Sequence, residues 1–172
     1  LSLAKSQGIE SDAVLLGTDV SGLADTLAGQ GAATVYLGDD TSLEIFNTEQ
    51  YTALVTDALQ QSGATQVWLT SSELGRDLTP RIAARQGAGA LSDVTKLELN
   101  GDEITAYRPC MATKAIQKCK FSKDGLRVIS IRSGIFAADE SPPASANTVS
   151  LSIPSGHSQL KVREVRRQRI RR

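Results

Sequence analysis

The chain has 172 residues, 40% apolar and 22% charged, with a formal net charge of zero at pH 7. That is enough length for one domain with a real core and an ordinary globular composition. It excludes a helical membrane span, because no apolar run approaches about 18 residues, and no signal-peptide pattern opens the chain.

Residues 1–8 read as the end of a helix closed by Gly8. A helix is an awkward first element for a parallel-sheet domain, and the chain begins with Leu1 rather than Met, so a strand is expected ahead of it. Ala13-Val14-Leu15-Leu16 is a continuous apolar run, as in a strand buried on both faces. Asp19 is placed to cap a following helix, in which Val20, Leu23, Ala24, Leu27 and Ala28 share one face. Thr34 to Leu37 reads as the next strand. Asn47 with Gln50 forms a capping-box pattern ahead of a stripe of Tyr51, Leu54, Val55, Ala58 and Leu59, which Gly63 stops. Gln66 to Thr70 is a third strand.

Strand and helix thus alternate with short turns, the pattern of a parallel sheet flanked by helices. Right-handed crossovers make this a Rossmann-like α/β fold. In the next helix Pro80 leaves two solutions. Either Thr79 caps and Pro80 opens the helix, or the helix starts near Gly75 and Leu74, Leu78 and Ile82 line one side.

After Asp93 the period becomes two. Leu97 and Leu99 alternate, and Asn100-Gly101 is a hairpin signal. Strands are expected at 112–121, 128–132 and 148–153, with a last one at 160–165. Turns are expected at Lys123-Asp124-Gly125 and Pro154-Ser155-Gly156. The second half therefore reads as an antiparallel β extension on the edge of the α/β body. One α/β domain over 1–160 and a basic tail over 161–172 are the expected divisions. The tail holds seven Lys/Arg and one Glu. No aromatic interleaves its arginines, so a solvated tail or linker is expected rather than a nucleic-acid site.

Cys110 and Cys119 fit neither a zinc spacing nor a disulfide framework, and read as free thiols in a reducing cytoplasm. The lone His157 has no nucleophile or carboxylate companion in sequence. With no paired carboxylates, Gly-x-Ser-x-Gly or metal ligand set, no catalytic or metal residue is expected.

The turn Thr70 to Gly75 lies at the carboxyl end of a parallel strand and the amino end of a helix, where open α/β sheets bind ligands. Ser71, Ser72, Gly75 and Arg76 are therefore candidates for an anion or nucleotide crevice. Neither Gly-x-Gly-x-x-Gly nor Gly-Lys-Ser/Thr is present, so the turn is equally an ordinary capped helix. Arg81 and Arg85 share one helix face and suit either an interface or an oxyanion clamp. Arg108, held extended by Pro109, has a fixed exit direction.

Gly75-Arg76-Asp77-Leu78, Pro80-Arg81, Ala83-Ala84, Gly87-Ala88-Gly89 and Ser92-Asp93-Val94-Thr95 together resemble the N-terminal domain of the electron transfer flavoprotein alpha subunit. Tyr107-Arg108-Pro109, and Val128 to Arg132 followed by Gly134 and Phe136, extend the resemblance, which covers roughly residues 1–165. One departure stands out: the family usually has a Gly shortly after Arg-Pro, where this chain reads Met111-Ala112-Thr113.

The resemblance implies a fold like that of adenine nucleotide alpha hydrolases. It implies a scaffold domain that packs on a beta subunit, with Arg81, Arg85, Arg108 and Arg132 as interface candidates. FAD would be bound in the full heterodimer, mainly by a second alpha domain outside this sequence, and the partner subunit could hold AMP. The whole would carry electrons from flavin dehydrogenases, such as acyl-CoA dehydrogenases, to a quinone oxidoreductase or another acceptor. It would work as a carrier rather than an enzyme, in a bacterial cytoplasm or a mitochondrial matrix. The alternative is an adenine-nucleotide-binding module using the Thr70–Gly75 turn.

Overall fold

The computed structural model describes residues 1–101, 103–122, 125–137, 141–154 and 160. Four α-helices and nine strands lie within them: α1 Ser2–Ser6, β1 Ala13–Gly17, α2 Ala24–Gly29, β2 Val35–Asp39, α3 Thr48–Ser62, β3 Gln66–Thr70, α4 Glu73–Gln86, β4 Gly89–Val94, β5 Lys96–Asn100, β6 Glu103–Cys110, β7 Ala115–Lys120, β8 Arg127–Ile131 and β9 Thr148–Ser150.

The strands form two parallel three-stranded sheets, β1-β2-β9 and β3-β8-β4, and one antiparallel sheet, β5-β6-β7. The domain is thus mixed α/β, with an antiparallel sheet following the helical half. The antiparallel part is smaller than the sequence suggests. β8 does not extend an edge: it runs parallel between β3 and β4. β9 likewise runs parallel beside β2. Val128 and Ile129 are fully buried, as expected of an apolar strand with a neighbour on each side and both faces covered.

Helix α3 follows its sequence pattern. Asn47 Oδ1 accepts hydrogen bonds from the Glu49 and Gln50 amides, and Gly63 closes the helix at φ 65°. Leu54 and Ala58 pack toward β2, and Val55 packs on Leu78, Ile82 and Val128. One helix therefore covers both parallel sheets.

Residues 20–28 differ from expectation. Residues 21–23 form a single 3-10 turn, and α2 starts only at Ala24. Asp19 is not the cap: it takes a left-handed φ of 55°. The Asp39 carboxylate, from the end of β2, accepts hydrogen bonds from the Val20 and Ser21 amides instead. A cap supplied across the sheet is not visible in local sequence.

In α4 the longer solution holds. Ser72 caps, its Oγ accepting from the Gly75 amide at 3.2 Å, and Pro80 lies inside the helix. Leu78 and Ile82 are buried as the four-residue spacing requires, but Leu74 in the first turn is 47% exposed.

β7 starts at Ala115, three residues later than expected, because Met111, Ala112 and Thr113 all adopt left-handed φ, at 51°, 51° and 67°. Each such residue costs about 1–2 kcal/mol when it carries a Cβ. The departure from glycine thus leaves the turn left-handed and adds strain. The expected turn residues 123–124 and 155–156, the strand at 161–165, His157 and the basic tail lie outside the described residues.

Candidate functional site

The carboxyl ends of β3, β8 and β4 converge on one polar network. Gly75 opens it. A Cβ at this position would lie 1.8 Å from the Thr70 carbonyl oxygen, so only glycine lets α4 approach the end of β3 this closely. The turn glycine therefore serves helix–strand packing.

Ser71 donates its backbone amide to the Ile131 carbonyl at 2.7 Å and its hydroxyl to Ser130 Oγ at 2.9 Å. Ser130 is fully buried within the apolar β8. Its Oγ also accepts from the Asp93 amide at 3.2 Å. Sequence reasoning passed over Ser130; the signal was one polar residue inside the run Val128-Ile129-Ser130-Ile131.

Asp93 is the centre. The β4–β8 register shifts between Leu91 and Val94, and within this bulge Asp93 takes a φ of 60°. Asp tolerates this conformation better than most side chains. Arg132, just past β8, grips the carboxylate with both arms: Nε at 3.0 Å and Nη2 at 2.6 Å. Arg76, in the first turn of α4, adds Nη2 at 3.9 Å. The Arg132 hydrogen bonds, foremost, hold the Asp93 carboxyl below the usual carboxylate range, against the opposing effect of burial. The charges of Arg132, Arg76 and Arg108 lower it further. Arg108 comes from β6, whose Tyr107 carbonyl bonds the Thr95 amide at 2.8 Å and so ties β6 to the end of β4.

The candidate residues thus divide. Ser71, Ser72, Gly75 and Arg76 lie together on the β3–α4 turn, and Arg132 joins Arg76 at Asp93, with the charge of Arg108 also reaching that carboxylate. Arg81 stands apart, exposed and paired with Asp77 at 3.4 Å. Arg85 is exposed on the same helix. Cys110 and Cys119 are half-buried free thiols. Among the described residues no group of His, Cys, Asp and Glu could hold a metal ion. No helix of the described residues is long and apolar enough to cross a membrane.

A cleft of about 310 Å³ adjoins the network, lined by Leu1, Leu3, Trp68, Thr70, Arg132 and Phe136 among others. It lies at the lower bound of ligand pockets, which run from about 300 to 1,000 Å³. It is an open cleft rather than an enclosed cavity, and the adjoining turn carries no Gly-x-Gly-x-x-Gly. The crevice among the described residues therefore lacks the glycine-rich phosphate-binding turn of a dinucleotide site.

Fold and site define a Rossmann-like α/β domain with a cationic crevice at its carboxyl end. Residues 1–154 match the family model described as the electron transfer flavoprotein domain, and the chain belongs to that family. It is 30% identical over 149 residues to the electron transfer flavoprotein subunit alpha of Megasphaera elsdenii, covering 86% of this chain and 44% of that one. It is 26% identical to Protein FixB of Clostridium saccharobutylicum, covering 94% of this chain and 48% of that one. An acryloyl-CoA reductase electron transfer subunit beta from Anaerotignum propionicum is 29% identical, over 69% of this chain and 32% of that protein. The chain spans less than half the length of these relatives, and corresponds to the N-terminal type of domain of the alpha subunit.

Proposed function

We propose that the chain is the scaffold and subunit-interface domain of an electron transfer flavoprotein alpha subunit. With a beta subunit and FAD, that protein carries electrons from flavin dehydrogenases, such as acyl-CoA dehydrogenases, to a quinone oxidoreductase or another acceptor. The observation that carries this reading is the family match over residues 1–154. The redox chemistry would belong to the FAD, and the protein would supply binding and orientation. The chain would act as part of a carrier, without a catalytic site of its own. Its place would be a bacterial cytoplasm or a mitochondrial matrix, where Cys110 and Cys119 stay reduced.

Arg81 and Arg85, both exposed on α4, are the cations best placed to meet an acidic partner surface. Arg108 and Arg132, also interface candidates, lie instead in the Asp93 network. Co-expression with the cognate beta subunit, followed by size exclusion with light scattering, tests the reading. A one-to-one complex that Arg81→Glu with Arg85→Glu weakens is expected. Elution of the chain alone beside a folded beta subunit would contradict it.

The alternative, an adenine-nucleotide module, has one observation in its favour: the Ser71–Arg76 turn does lie at the carboxyl end of β3. Against it, the Ser71 hydroxyl is already donated to Ser130 on β8, and that of Ser72 caps α4.

A further inference from the structure

Two arginines contact a single carboxylate, and the charge of a third reaches it. Arg76 comes from α4, Arg108 from β6 and Arg132 from the end of β8, and Asp93 is the acid whose carboxyl all three lower. Arg132 is committed to Asp93 by two hydrogen bonds. Arg76 is not: its contact is 3.9 Å long and its side chain is 63% exposed. Arg108 has a donor left over. Its Nε is buried and has no hydrogen-bond partner among the described residues. A buried guanidinium donor without an acceptor is costly, because it has lost water and gained nothing in return. Three guanidinium charges against one carboxylate leave an excess of two positive charges.

From this arrangement we propose that the cluster is an oxyanion site, and that its ligand is a phosphate. Phosphate carries about −1.5 to −2 charges at pH 7, which matches the excess; a carboxylate would balance only half of it. Arg76 and Arg108 are the donors, free to offer N–H groups. Arg132 is a positioning residue, fixed by Asp93, that sets the local field. The capped first turn of α4, which bears Arg76, adds a favourable dipole. The adjoining cleft shares Arg132 and leaves room for a small group carried by the phosphate. The site is independent of the electron-carrier reading, which requires no ligand here.

The test is a titration of the full chain with inorganic phosphate at constant ionic strength, chloride making up the balance. Backbone and arginine Nε–H resonances are followed by NMR. Saturable shifts at Asp93, Arg76 and Arg108 are expected. Arg76→Gln and Arg108→Gln should each weaken binding about tenfold or more, as loss of a hydrogen bond to a charged group does. Arg85→Gln should leave it unchanged. Adding AMP to the phosphate-loaded chain distinguishes the source. Displacement identifies a nucleotide phosphate, and no displacement identifies free phosphate; either fits the site. Shifts that do not saturate, or that chloride reproduces, would overturn the proposal. So would wild-type affinity in Arg76→Gln, an exposed position that decides the matter even if Arg108→Gln fails to fold.

Discussion

β8 and β3 carry similar apolar runs, Val128-Ile129 and Val67-Trp68-Leu69, and lie side by side, yet they are buried very differently. β8 has a parallel neighbour on each side, and Val128, Ile129 and Ser130 are fully buried. β3 pairs only with β8 among the described strands, and Val67, Trp68 and Leu69 stay half-buried. β1 resembles β3: among the described strands it pairs only with β2, and Val14 is 40% exposed. A hydrophobic run records what covers the faces of a strand; what lies along its edges is set by the lateral order of the sheet.

The largest effect expected within this comparison is at the close approach that joins β3 to α4. Gly75→Ala would force a Cβ into the Thr70 carbonyl. A loss of about 3 kcal/mol or more in urea unfolding is expected, at the upper end of overpacking costs. A change under 1 kcal/mol would show that α4 can move away from β3.

Ile129→Ala on β8 should cost about 2–5 kcal/mol, the range for emptying a filled core site. Val14→Ala on β1 should cost under about 1 kcal/mol, because the side chain is already partly in water. Equal losses would remove the distinction between the strands. Hydrogen exchange reads the same contrast without mutation: β8 amides should be the slower to exchange, and those on the open edges of β1 and β3 the faster.

Asp93 links the two kinds of strand through Ser130 and Arg132. Asp93→Ala should cost roughly 1–2 kcal/mol, as loss of charge-assisted hydrogen bonds does. Because folding lowers the Asp93 pKa, its stabilisation is complete above the ordinary Asp value of about 3.9 and is lost as pH falls through the lower folded value. The Ala variant should therefore lose less stability than the native chain on acidification below pH ~4. Parallel curves would mean that the Arg132 grip does not persist in solution.

The smallest effect is at the β6–β7 turn, away from both parallel sheets. Ala112→Gly relieves a left-handed Cβ but adds unfolded-state freedom, so a net gain of a few tenths to about 1 kcal/mol is expected. Destabilisation would show that the turn is not left-handed there.

Much of this was legible in the sequence. The α3 stripe, the Asn47 cap, the Gly63 stop, the β3 run and the Asn100-Gly101 hairpin are local signals, and each is realised. Non-local choices were not legible. Nothing near residues 127–131 says that they pass between β3 and β4, and nothing near Asp39 says that it caps residues 20 and 21. For the candidate site, the Ser71–Arg76 turn could be read from strand–turn–helix order. The gathering of Arg108 and Arg132 with Arg76 could not, because it depends on the same lateral strand order.

The most direct test of the central claim, that this is a scaffold domain that does not itself hold the flavin, is a calorimetric titration of the purified chain with FAD. The account predicts no tight, saturable binding. Stoichiometric FAD binding at submicromolar affinity would contradict it, and would place the flavin on this domain.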